Sequence, residues 1–294
     1  MLRDDNRQGS ENETADCVDD RLTEKMRLKI NDQQLEYEWH GPPPEEAPTL
    51  VFLHEGLGCV AMWKDFPARV ARATGCGALV YSRAGYGKSS PCTLPRALRF
   101  MHDEALTSLP QVLDALAIRE AILIGHSDGG SIALIHAGTF QKPDHHDPET
   151  HGNGATRISG LVLLAPHVFV EETGLESIKR IREDYRTGSL RWRLERYHGA
   201  NVDGAFRGWN DVWLNPEFRL WNIEEYLPQI TVPVLLIQGE QDRYGTLAQI
   251  EAIEKGVAAP VQKLILKDCG HSPHLDQPEQ TCGAIARFLG DVTT

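Results

Sequence analysis

The sequence predicts an α/β fold in which a mostly parallel sheet is flanked by helices, with a further helical segment inserted late in the chain. Three observations carry this reading. Short apolar runs rich in β-branched residues recur along the chain. Amphipathic stretches of helical period alternate with them, and alternation of that kind requires parallel strands joined by crossover helices. The segment 168–230, lying between two such runs, is too long to be a plain connection. At 294 residues the chain suffices for one large domain carrying an insertion.

Residues 1–20 are polar and acidic and lack the apolar stretch of a secretory signal, so they read as a disordered tail. The alternating stretch Met26 to His40, broken at Asn31 and Asp32, predicts a hairpin that ends at Pro42-Pro43-Pro44. Thr49 to Leu53 is a buried strand that stops at His54-Glu55-Gly56-Leu57-Gly58. A helix over Met62 to Ala73 follows, then a strand from Ala78 to Tyr81 that runs into the Gly-punctuated turn Ser82 to Gly87. Leu106, Leu109, Val112, Leu113 and Leu116 form one stripe of an amphipathic helix between His102 and Ile118. Ala121 to Ile124 is the next strand, followed at once by Gly125-His126-Ser127-Asp128-Gly129-Gly130 and a helix to Phe140. Ile158 to Leu164, Val232 to Ile237 and Val261 to Leu266 complete the strands.

These elements divide the chain into a core, 21–167 and 231–294, and a helical insert, 168–230. The insert holds Trp192, Trp209, Trp213 and Trp221. Its aromatic residues form either a small core of their own or a lid over an apolar pocket. The polar segment 142–157 reads as a solvated loop. Its His145, His146 and His151 are suitable metal ligands, but their spacing matches no fixed motif, and no metal is expected.

Charge narrows the partners. With 30 Lys and Arg against 42 Asp and Glu, the formal charge is −12, which disfavours nucleic acid, because binding it depends on cations that neutralise phosphates. No apolar run is long enough to span a bilayer. Six scattered cysteines predict reduced thiols and a cytoplasmic location. The expected partner is a small-molecule substrate; homo-oligomerisation is left open.

The chemistry centres on Gly125-His126-Ser127-Asp128-Gly129. Between an apolar strand and a helix, this Gly-x-Ser-x-Gly pattern suits a nucleophile held on a tight turn, where only small neighbours let the backbone fold so sharply. The same spacing would also arise if the serine merely capped a helix. A serine nucleophile needs a base, and the base needs an acid that fixes its tautomer. Asp242 and His271 follow the next strands but one and two, both at the carboxyl edge where α/β sheets place ligand sites. Glu240 is an alternative acid and His274 an alternative base. Asp242 and His271 are preferred on motif context.

From Met26 to Leu289 the chain resembles members of the α/β-hydrolase superfamily, which share the order Ser, Asp, His. His271-Ser272-Pro273 with Asp276, Pro278 and Glu279 is similar to the family's histidine loop and final helix, and Ser82 to Ser89 to its Gly-rich turn. The resemblance implies an α/β-hydrolase fold with a helical cap, no cofactor, and catalysis by Ser127, Asp242 and His271. It also implies an oxyanion hole built from the Asp128 N–H and a second donor, Gly56 or Leu57. One departure stands out: where the family has glycine after histidine, this chain has Glu55, which brings a carboxylate near a site that must stabilise an anion.

Glu55, His126, Trp209 and Trp213 are the candidate pocket residues. The expected activity is hydrolysis of a carboxylic ester or lactone of a small, largely apolar substrate. Cleavage of a C–C bond in a ring-fission product and thioester or amide hydrolysis are the rival reactions. A non-catalytic small-molecule sensor is the rival of another class.

Overall fold

A computed structural model describes residues 26–140 and 157–292. The predicted acidic tail and most of the His-rich segment, including His145, His146 and His151, lie outside the described residues. Eight strands form one sheet: β1 (Met26–Ile30), β2 (Gln33–His40), β3 (Thr49–Leu53), β4 (Gly77–Tyr81), β5 (Ala121–His126), β6 (Ile158–Leu164), β7 (Val234–Gly239) and β8 (Val261–Leu266). Their spatial order is β1-β2-β4-β3-β5-β6-β7-β8. The predicted hairpin forms with Asn31 in a left-handed turn, φ 51°. β1 pairs antiparallel with β2 and β2 antiparallel with β4, and every later pairing is parallel.

The helices are α1 (Phe66–Thr74), α2 (Phe100–Asp103), α3 (Leu109–Ala115), α4 (Asp128–Phe140), α5 (Glu172–Thr187), α6 (Leu190–His198), α7 (Val202–Trp213), α8 (Leu247–Gly256), α9 (Pro273–Asp276) and α10 (Pro278–Val292). Every residue of β3, β4, β5 and β7 is buried. The twofold alternation of strand side chains divides those residues between two cores. Val51, Leu53, Leu79, Leu123, Leu163 and Leu236 face the core shared with α3, α4 and α8. Leu50, Phe52, Val80, Ile124, Leu164 and Ile237 face the core shared with α1 and α10. Burying each such side chain contributes about 1.5–3 kcal/mol, which is why the strands read as continuous apolar runs.

Two of the boundaries that differ from the sequence reading are set by proline. The helix predicted from Met62 begins at Phe66, after a short 3₁₀ turn over Val60–Trp63 and a left-handed Lys64. Pro67 lacks an N–H and is tolerated only in the first turn, so the helix cannot extend back through Met62. The strand predicted from Val232 begins at Val234 for the same reason: Pro233 cannot donate to the ladder, although its carbonyl accepts from Leu161 N at 3.0 Å. The stripe of Leu106 to Leu116 is helical, with a wider π turn at Glu104–Ser108 joining α2 to α3.

Between β6 and β7 the chain leaves the sheet to form α5, α6 and α7. Its two ends are pinned together where Ile223 N donates to Val168 O at 2.8 Å and Phe169 bridges Asn222. The insert is tied to the sheet's rim at a second place. Gly87 N donates to His198 Nδ1 and His198 Nε2 donates to Leu57 O, each at 2.9 Å, so one neutral imidazole clamps the Gly-rich turn to the loop after β3. Asn201 Nδ2 adds bonds to the Gly87 and Ser89 carbonyls.

Candidate active site

β4 lies on one side of β3 and β5 on the other, so the chain reverses direction of sheet growth at β3 and opens a crevice at the carboxyl ends of β3 and β5. Ser127 sits there, in the one-residue turn between β5 and α4, with φ 54°. That left-handed conformation is costly for a side chain with a Cβ, and it persists because the surroundings over-determine it. Ser127 N donates to Leu164 O at 2.9 Å, and Ser127 O accepts from Gly130 N at 2.8 Å and Ser131 N at 3.1 Å. The flanking glycines are steric necessities. A Cβ on Gly125 would lie 2.4 Å from Gly129 O, and one on Gly129 would lie 2.0 Å from Leu53 O.

Asp242 and His271 emerge from the loops after β7 and β8, and His271 Nδ1 bonds Asp242 Oδ2 at 2.8 Å. Asp242 Oδ2 also accepts from Gln238 Nε2 at 2.9 Å, and Oδ1 accepts from Tyr244 N at 2.8 Å. Burial alone would raise the Asp242 carboxyl. The His271 imidazole and the Tyr244 N–H outweigh it and hold the group below its ordinary value. An ionised carboxylate only accepts, so Nδ1 of His271 carries a proton, and Nε2 is the nitrogen left to exchange one. Glu240 is exposed. His274 packs against Trp63, ring centroids 4.6 Å apart, and does not line the cavity that Ser127 and His271 share.

That cavity, about 200 Å³ in volume, is lined by Ser127, His271, Glu55, Gly56, Leu57, His126 and Asp128, and from the insert by Ile178, Trp209 and Trp213. The tryptophans thus pack in the core and face the cavity at once, whereas Trp192 is exposed and Asp211 pairs with Arg182 and Arg207 at the surface. Trp209 explains Gly56: a Cβ there would fall 2.0 Å from Trp209 Nε1. Trp213 Nε1 donates to Asp128 Oδ1 at 3.2 Å, and burial lifts the Asp128 carboxyl to about 6.

Buried Arg83 shapes the loop after β3. Its guanidinium donates to His54 O and to Glu55 O, the latter at 3.0 Å. In a trans peptide the C=O and the following N–H point in opposite directions, so the Gly56 N–H points away from Arg83. Sequence reasoning missed His167, Tyr244 and Glu171, which also line the cavity. His167 follows β6 by three residues, and the rule that strand ends border the crevice could have found it.

Buried imidazoles give the site a pH signature. Burial holds His54 well below its ordinary 6.5, and lowers His167 and His274 to about 3. These rings stay neutral in the folded chain while the unfolded chain takes up protons below about pH 6.5, so stability falls as pH drops through the window from about 6.5 to about 3. Asp128 and Glu104, both raised by burial, work in the opposite sense but are outweighed by three imidazoles. Thermal unfolding is expected at a lower temperature at about pH 4.5 than at about pH 7; a flat or rising profile on acidification would contradict the neutral assignment.

The sequence profile described as the Alpha/beta hydrolase family matches residues 50–284. The chain is 29% identical over 262 residues to carboxylesterase YbfK of Bacillus subtilis (strain 168), covering 84% of this chain and 81% of that protein. It is 23% identical over 274 residues to the pimeloyl acyl-carrier protein methyl ester esterase of Vibrio vulnificus (strain CMCP6), covering 85% and 98%. The solved structure of the esterase EaEST from Exiguobacterium antarcticum shares the fold with a TM-score of 0.68 at 20% identity, over 90% of this chain and 98% of that one.

Proposed function

Because the chain belongs to the alpha/beta hydrolase family and is a carboxylesterase-like enzyme, we propose that it cleaves a carboxylic ester or lactone of a small, largely apolar substrate through an acyl-enzyme on Ser127. Ser127 Oγ attacks the carbonyl carbon as His271 Nε2 accepts its proton. Asp242 holds the Nδ1–H tautomer and stabilises the imidazolium. The tetrahedral oxyanion is held by two N–H groups, that of Asp128 at the first position of α4 and that of Gly56. Collapse expels the alkoxide, which takes the proton from His271. Water, deprotonated by the same imidazole, then releases the acid.

The observation that carries this reading is the Asp242–His271 bond of 2.8 Å, with His271 and a left-handed Ser127 lining one cavity. The Gly56 N–H, which points away from Arg83, is taken in this reading as the second donor in preference to Leu57. In this reading the inserted helices act as a cap, with Trp209 and Trp213 closing the acyl pocket. Glu171 lines the cavity and neither Lys nor Arg does, which disfavours substrates that carry a carboxylate.

Assaying uncharged aryl esters, lactones, carboxylate-bearing esters and vinylogous diketones side by side tests the proposal. Turnover of uncharged esters or lactones is expected to dominate. Cleavage of the diketones with the esters inert would make it a C–C hydrolase, and binding without turnover would make it a sensor.

A further inference from the structure

Glu55, from the loop after β3, and His126, the last residue of β5, meet beside Ser127, with Glu55 Oε2 3.5 Å from His126 Nδ1. The His126 side chain is 1% exposed and that of Glu55 22%. On its other edge, His126 Nε2 lies 2.7 Å from the His271 carbonyl oxygen. A carbonyl can only accept, so this contact fixes a proton on Nε2. Nδ1 is then a buried nitrogen without a hydrogen-bond partner, and it faces a carboxylate. A bare lone pair opposite an ionised carboxylate would be repulsive, and leaving either group buried and unpaired would be costly. One proton on Nδ1, facing the carboxylate, removes both penalties.

The surrounding groups locate that proton. The rings of His271 and His274 lie 5.1 and 4.9 Å from that of His126. Burial keeps His274 and His167 neutral, and Asp242 is engaged by His271 through their hydrogen bond. Asp128 is raised by burial and tied to Trp213. Burial would raise Glu55 as well, but the His126 imidazole 3.5 Å away outweighs it and holds its carboxyl well below the ordinary range.

We propose that Glu55 and His126 are a second carboxylate–imidazole ion pair, carboxylate against imidazolium, that ties the loop after β3 to the loop carrying His271 and so positions the oxyanion donor and the base together. The pair is net neutral, which explains how a carboxylate can stand next to the Gly56 N–H without opposing an oxyanion. His126 and Glu55 are positioning residues, since they act through the His271 carbonyl and the Gly56 peptide. The positioning half of the proposal rests on the esterase reading, but the charge state of the pair does not.

The test is nitrogen-15 NMR of the full chain labelled at histidine, with His126 assigned by the resonance lost in H126N or, should that variant fail to fold, by its contacts with the Trp63 and His271 rings. Protons on both His126 nitrogens are expected at about pH 8, where a histidine of ordinary value near 6.5 is neutral. In E55Q the Nδ1 proton is expected to be lost. Toward an ester that the wild type turns over, kcat should fall about tenfold to a hundredfold with KM changed less than about threefold, the mark of misplacement rather than lost binding. A singly protonated His126 in the wild type, or one unaffected by E55Q, would overturn the pair. The expected spectra with an unchanged kcat in E55Q would overturn the positioning role. Failure of the esterase reading shows separately, as a wild type that turns over no ester while His126 remains doubly protonated.

Discussion

Replacing Ser127 with alanine is expected to lower kcat/KM toward a responsive aryl ester by about 10⁴-fold or more, with little change in thermal stability. The backbone bonds that hold the turn, from Ser127 N to Leu164 O and from Gly130 N and Ser131 N to Ser127 O, do not involve the hydroxyl. Alanine also carries a Cβ, so the left-handed strain at φ 54° is unchanged. Loss of turnover without loss of fold is therefore the signature of a nucleophile. A chromogenic ester assay run beside a melting curve checks both halves. A variant that melts within about 2 °C of the wild type yet retains a tenth of its activity would remove Ser127 from the mechanism.

Asp242→Asn is expected to cost about 10⁴-fold in kcat, although the two side chains have nearly the same shape. The reason lies in the donors around the carboxylate. Tyr244 N donates to Oδ1, so asparagine must keep its carbonyl oxygen on that side. Its NH₂ then falls where Oδ2 stands, facing both Gln238 Nε2, a donor, and the His271 Nδ1–H. Three donors cannot share that point. His271 is driven to the tautomer with its proton on Nε2, where it can no longer accept one from a serine. Steady-state kinetics on D242N, with the melting curve as control, checks this. Activity within tenfold of the wild type would point to another acid.

How much of this could be read from the sequence depended on how local the cause is. The inner parallel strands were legible because burial on both faces turns them into apolar runs, as at Thr49 to Leu53 and Ile158 to Leu164; the edge strand Val261 to Leu266, largely not buried, also has its predicted bounds. The turn at Ser127 was legible because its glycines answer to a backbone approach a few residues away, Gly125 to Gly129 O. Asp242 and His271 could be placed at strand ends, but their contact across 29 positions is a product of sheet order. The helix and strand starts at Phe66 and Val234 were missed because apolar periodicity outweighed the missing N–H of Pro67 and Pro233.

What the sequence could not supply is long-range polar pairing. His198 joining Gly87 to Leu57, and His126 set between Glu55 and the His271 carbonyl, depend on residues that meet only after the sheet and the insert have assembled. Neither histidine belongs to a periodic pattern. The departure at Glu55 was visible as an oddity of composition, and its physical account needed the imidazole beside it.

The central claim, that Ser127 forms the covalent intermediate, is tested most directly by treating the full chain with a fluorophosphonate and mapping the adduct by peptide mass spectrometry. One phosphonyl group on Ser127, absent from S127A and slowed in D242N, is the predicted result. An adduct on any other residue, or undiminished labelling of S127A, would contradict it.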